Sequence, residues 1–156
     1  MQVTMERDDT DLESLYAEHA DRLWRAIYAY GGDREIASDV TAEAFAQFLK
    51  RASEIRSPAR WIWRAAFRIA AGELKARRMT DALPTNLDLT SPSTGELLGT
   101  LSLLPPRQRA ALVLHYYGGY KAREVAEIIG STSATVRVHL SQGRRRLRKL
   151  LEEDDV

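Results

Sequence analysis

Ala134, Arg137, Val138, Ser141, Gln142, Arg145 and Arg148 recur three and four residues apart in a stretch that reads as one continuous helix. That spacing gathers guanidinium, hydroxyl and amide groups on one face. Side chains of this kind hydrogen-bond to base edges and phosphates in a DNA major groove. The opposite face carries Val136, Leu140, Leu147 and Leu150 at spacings of four, seven and three, a stripe made for burial. Upstream, Val125, Ala126 and Ile129 give a second, shorter helix its apolar side, and Ala126 must be small for the two helices to cross closely. Gly130 stands where that helix must stop, and Thr132 is a suitable N-cap for the next. Residues 120–147 therefore read as a helix-turn-helix whose second helix runs into an arginine cluster. A plain helical hairpin with a solvated basic face would have similar periodicity. The charge distribution argues against it. Residues 101–151 hold ten Lys/Arg against two Asp/Glu, net +8, in a chain whose overall charge is +1. A concentrated patch in a near-neutral protein is the electrostatic footprint of a polyanion partner.

A second group lies in residues 58–79. Trp61, Ile62, Ala65 and Ile69 share one side of a helix, while Arg60, Arg64, Arg68, Lys75 and Arg78 fall together on the other. Trp63 and Phe67, four apart, flank the basic stripe. Aromatics beside arginines suit single-stranded nucleic acid: the cations meet phosphates and the rings stack on unpaired bases, at about 1–3 kcal/mol per base. The competing reading has Trp63 and Phe67 packing against the first helix, and sequence alone leaves the two evenly matched.

Composition narrows the class. The chain has 156 residues and no cysteine, which removes disulfides, thiolate metal sites and thiol chemistry. His19, His115 and His139 are scattered and read as packing or surface residues, so no metal or other cofactor is expected. No phosphate-binding glycine loop and no nucleophile–base pairing occurs, which argues against an enzyme. The acidic, polar N-terminus is unlike a signal peptide and no apolar run approaches a membrane span, so a cytoplasmic location without membrane insertion is expected. Charge alternates in blocks: residues 1–50 carry five basic and eleven acidic side chains, and residues 51–80 carry eight and two. Two basic blocks separated by an acidic connection imply two modules that face nucleic acid.

The elements that must position these groups are all helical. Residues 11–30 form an amphipathic helix with Leu12, Leu15, Tyr16, Leu23, Ile27 and Tyr28 on one side, ended by Gly31-Gly32. Asp33 caps a second helix over 34–51, with Ile36, Val40, Phe45, Phe48 and Leu49 apolar, and Ser57-Pro58 opens a third. Residues 80–96, rich in Thr, Ser, Pro, Asn and Asp, read as a flexible linker. Helices over about 96–103 and 106–117 precede the helix-turn-helix. The fold class is all-α: two small helical domains, 1–79 and 97–156, joined by the linker.

Three segments together resemble the extracytoplasmic-function (ECF, group IV) RNA polymerase sigma factors. GDREIASDVTAEAFAQFLKR (32–51) resembles the family's polymerase-docking segment, and ARWIWRAAFRIAAGELKARR (59–78) its promoter-melting helix. LPPRQRAALVLHYYGGYKAREVAEIIGSTSATVRVHLSQGRRRLRKLL (104–151) is similar to its domain for the −35 promoter element, and this match is the most specific. The resemblance implies a sigma factor that binds core RNA polymerase and promoter DNA, is restrained by an anti-sigma factor, and is monomeric when free. It assigns polymerase docking to Asp39, Glu43 and Phe45, and −10 DNA to Arg60, Trp61, Trp63, Arg64, Phe67 and Arg68. It assigns −35 DNA to Lys121, Arg123, Ser133, Ala134, Thr135, Arg137, Val138, Ser141, Gln142 and Arg145. The acidic linker matches the segment that threads toward the polymerase channels. The chain departs from the family pattern at Ala42, Phe67-Arg68 and Gly72, which implies an unusual −10 preference or weak melting. Two other readings stay open: a stand-alone helix-turn-helix regulator of duplex DNA, and a sigma-like protein without full melting activity.

Overall fold

A computed structural model describes the backbone of residues 2–80 and 92–154, and side chains within 12–77 and 96–153. The element order is α1 (Gln2–Gly31), α2 (Arg34–Arg51), α3 (Pro58–Thr80), α4 (Pro92–Ser102), α5 (Pro106–Leu112), α6 (Ala122–Ile129) and α7 (Ser133–Asp154). A short 3₁₀ turn, Ala52–Glu54, follows α2, and a wider π-type turn, Val113–Tyr117, extends α5. Among the described residues every regular element is helical.

The first unit is the mutual packing of α1, α2 and α3. α1 supplies Leu23, Ala26, Ile27 and Tyr30, which are buried at intervals of three and four. α2 supplies Ile36, Val40, Ala44 and Phe48 on the same period. Its N-terminus is fixed as the sequence predicts: the Asp33 carboxylate accepts a hydrogen bond from the Ile36 N–H at 3.0 Å. The same carboxylate receives Arg77 Nη1 from the far end of α3 at 2.7 Å. One buried acid therefore caps α2 and ties down α3. Burial raises the Asp33 carboxyl, but the Ile36 hydrogen bond and the hydrogen bond and charge of Arg77 outweigh it and hold the group below its ordinary value.

α1 begins well before residue 11, the start expected from its apolar stripe. Its first turns lack that stripe, so periodicity does not mark them. α4 opens at Pro92, inside the segment read as linker, and proline suits a first helical position. The rest of that linker, 81–91, lies outside the described residues.

In the second unit α7 packs on both α5 and α6. Val125, Ala126 and Ile128 of α6 and Val136 and Leu140 of α7 are buried, while Ile129, Leu147 and Leu150 pack at the margin of the core. Gly130 has φ +71°, which ends α6 at little cost because glycine lacks a Cβ. The Thr132 hydroxyl accepts the Thr135 N–H at 3.1 Å and opens α7. Gly143 allows the close approach of α5: a Cβ there would lie 3.1 Å from Leu112 Cδ1 and 3.4 Å from Gln108 Cβ. Gly143→Leu overpacks this contact and should lower stability by about 2 kcal/mol. Chemical denaturation checks this; an unchanged midpoint would place α5 elsewhere.

The two units touch. α3 packs on α6, and α1 meets α4 and the Val113–Tyr117 turn. Arg109, buried in α5, donates to the Ser102 and Leu104 carbonyls and lies 5.5 Å from the centre of the Tyr30 ring in α1.

Candidate nucleic-acid interface

α7 presents the expected face. Ala134, Arg137, Val138, Ser141, Gln142, Arg145 and Arg148 are all exposed. Val138 is 51% exposed, an apolar group with no core to fill and of a size to meet a thymine methyl. Ser133 and Thr135 are half-buried, and the Thr135 hydroxyl is engaged by Thr132 at 2.8 Å, so these two residues build the turn. Gln142 accepts a long hydrogen bond from Gln108 at 3.3 Å, which orients its amide. Lys121 and Arg123 are exposed at the start of α6, where the Lys121 N–H donates to the Glu124 carboxylate at 3.0 Å. Arg144, which sequence reasoning did not single out, donates to the Tyr116 hydroxyl at 3.0 Å and braces the edge of the basic face. The result is a helix whose outer face is basic and polar around the apolar Ala134 and Val138, backed by a closed core.

On α3 the structure redistributes the roles. Trp63 and Phe67 are buried, 1% and 3% exposed, and correct the expectation that they flank the basic stripe as open stacking platforms. Phe67 lies against Tyr30 of α1, ring centres 5.2 Å apart, and Trp63 meets Tyr120 edge-on at 5.5 Å. The buried side of α3 runs through Ile62, Trp63, Ala66, Phe67 and Ala70. Trp61, Ala65 and Ile69, expected in the core, are half-buried at its border. Trp61 packs against Phe48 at 6.1 Å while also facing a groove. This groove, about 550 Å³, is lined by Gln47, Lys50, Arg51, Trp61, Arg64 and Arg68. Four cations beside one indole keep the chemistry anticipated for unpaired bases, with Trp61 as the available ring. Lys50 and Arg51 escaped the sequence reading because they close α2, not α3; the Lys-Arg pair before the turn was the available signal. Arg60 is engaged elsewhere: it bridges Glu124 at 2.8 Å and Glu127 at 3.1 Å on α6. Arg78, grouped with this stripe, lies outside the described side chains.

α2 carries the acidic face. Asp39 and Glu43 are exposed, with Gln47 donating to Glu43 at 3.1 Å. Phe45 is buried, 5% exposed, with the Tyr16 ring edge-on at 5.0 Å, which corrects its assignment to a docking surface. Leu49, expected in the core, is 56% exposed on the flank of the acidic face and is the apolar group available there. Among the described residues no group of three or more histidine or acidic side chains is placed to hold a metal ion. No helix among them is long and apolar enough to cross a membrane.

The chain is similar to several known proteins. Residues 94–147 match the family described as sigma-70, region 4. Over 90% of its length the chain is 27% identical to the ECF RNA polymerase sigma factor BldN of Streptomyces coelicolor, covering 60% of BldN. It is 28% identical over 89% of its length to the ECF RNA polymerase sigma factor SigE of Mycolicibacterium smegmatis, covering 61% of SigE. The chain spans about three fifths of the length of these two relatives. The sigma factor RpoE of Bartonella quintana, solved in complex with the anti-sigma factor NepR, shares the fold. Its TM-score is 0.77 at 16% identity, covering 91% of this chain and 97% of that one. The helix-turn-helix segment is thus similar to sigma-70 region 4, and most of the chain is similar to ECF sigma factors.

Proposed function

We propose that this chain is an alternative sigma factor of the ECF group (group IV) that binds core RNA polymerase and directs promoter-specific initiation. The observation that carries the reading is the exposed recognition face of α7, inside a segment that matches sigma-70 region 4. In this reading residues 97–156 bind the −35 element. Arg137, Val138, Ser141 and Gln142 read the major groove, and Lys121, Arg123 and Arg145 meet phosphates. Residues 1–79 form the docking and −10 domain, with residues 80–96 as the connection. Asp39 and Glu43 face a basic surface of the polymerase. Arg64, Arg68, Lys50 and Arg51 hold the backbone of unpaired DNA while Trp61 stacks on a base. The protein has no catalytic step of its own in this scheme; it works in the cytoplasm, and an anti-sigma factor restrains it.

Phosphate contacts dominate the affinity of such an interface, so binding should fall steeply with added salt. Arg137→Ala should cost about 1–3 kcal/mol on the preferred duplex and relax preference at one base pair. Fluorescence anisotropy on a set of single-base duplex variants checks this. An equal loss on every sequence would make Arg137 a phosphate contact.

A further inference from the structure

Gln142 is the one carboxamide in α7, and it stands on the exposed face between arginines. Arg137 and Arg145 only donate, whereas a glutamine amide carries a carbonyl at one end and an NH2 at the other. What Gln142 offers a partner depends on which end faces out. A glutamine free to rotate can use both ends at once, as in its bidentate pairing with adenine N6 and N7.

α5 takes that choice away. Gln108 Nε2 donates to Gln142 Oε1 at 3.3 Å. Gln108 is half-buried and its own Oε1 is enclosed, so Nε2 is the end it turns toward α7. Turning the Gln108 amide over would enclose two donor hydrogens in place of one carbonyl oxygen. The helices come close enough for the pair because residue 143 is glycine: a Cβ there would lie 3.4 Å from Gln108 Cβ. Both glutamines sit on helices packed against each other within the second unit, so the pairing does not depend on how the two units meet. With Oε1 held toward α5, the Nε2 hydrogens are the end left for a ligand.

We propose that Gln108 is a positioning residue that makes Gln142 a donor, so that the base facing Gln142 is guanine and not adenine. Guanine presents two acceptors, O6 and N7, in the major groove. Adenine sets an N6 amino donor beside its N7, and an amide held this way leaves that donor without an acceptor. Arg137 and Arg145 also only donate, so the face as a whole matches an acceptor-rich groove edge. The inference rests on the reading of α7 as the helix that enters the duplex, and the experiment separates the two.

The full chain is equilibrated with a randomised duplex library, and bound sequences are counted against the input. The base pair that faces Gln142 is the one whose preference is lost in Gln142→Ala. There the native chain should favour guanine over adenine by about tenfold. Gln108→Ala frees the amide and should bring that ratio to about one or below. Gln108→Glu has the sharper outcome. A carboxylate only accepts, so it should draw Gln142 Nε2 inward, turn Oε1 outward and make adenine the favoured base. The added charge weakens binding to every sequence, so the ratio is read and not the affinity. A general loosening of α5 would lower the ratio but would not invert it. A ratio unchanged in both Gln108 variants would overturn the positioning role. Adenine favoured by the native chain, or a set of preferences that Gln142→Ala does not touch, would overturn the proposal and leave α7 as the reading helix. No sequence preference at any position would overturn that reading as well.

Discussion

Asp33→Ala should destabilise the folded chain by about 3 kcal/mol, the largest stability effect of any single substitution proposed for it. The carboxylate is 1% exposed and serves two partners, the Ile36 N–H of α2 and Arg77 of α3. Alanine leaves the first turn of α2 with an unfilled donor and removes the carboxylate that pairs with Arg77, 30% exposed. Asp33→Asn keeps the cap acceptor and loses the charge, so it should cost roughly half as much. The pH dependence has a defined sign. The Asp33 carboxyl lies below its ordinary value of 3.8 in the folded chain. Its contribution is therefore complete above that value and is lost as pH falls through the lower folded value. Denaturant titrations should show a constant gap between the native chain and Asp33→Asn above about pH 5. Below about pH 4 the gap should narrow. A gap that widened in acid would mean that the group is held protonated.

Asp39→Lys with Glu43→Lys should weaken binding to core RNA polymerase by about 100-fold or more. Both carboxylates are exposed on one face of α2. Reversing them replaces two attractive contacts by repulsive ones, and like charges at an interface cost several kcal/mol. About 2.7 kcal/mol already gives a factor of 100. Because neither side chain fills the core, the variant should fold within about 0.5 kcal/mol of the native chain. Titration of labelled protein with core polymerase measures the loss; binding within a few-fold of native would remove α2 from the docking surface. Leu49, exposed at the flank, should contribute an apolar contact to the same surface.

What the sequence told in advance, and what it did not, divides along physical lines. Local chemistry was legible. Asp33 and Thr132 cap helices, Pro58 opens one, and Gly130 turns the chain with positive φ, each as its residue type dictates. The exposed face of α7 was legible too, because α7 has an apolar side at helical period and what remained had to face outward. Contacts between the two units were not. Trp63 and Phe67 are buried because α3 is covered on more than one side, by α1 and α2 and again by the Tyr120 region. Periodicity gives the direction of a side chain and not how many neighbours arrive there. Arg60 pairs with residues more than sixty positions away, which no local pattern encodes. Phe45 and Leu49 exchanged expected roles because both lie near the margin of the apolar face of α2, where small rotations decide burial.

The measurement that bears most directly on the proposed function is run-off transcription with purified core RNA polymerase on a pool of promoter fragments, with and without this protein. Discrete start sites should appear only when the protein is present, share one upstream duplex element, and vanish with Asp39→Lys and Glu43→Lys. Duplex binding that persists with no polymerase binding and no transcript would contradict the sigma-factor account and leave a stand-alone helix-turn-helix regulator.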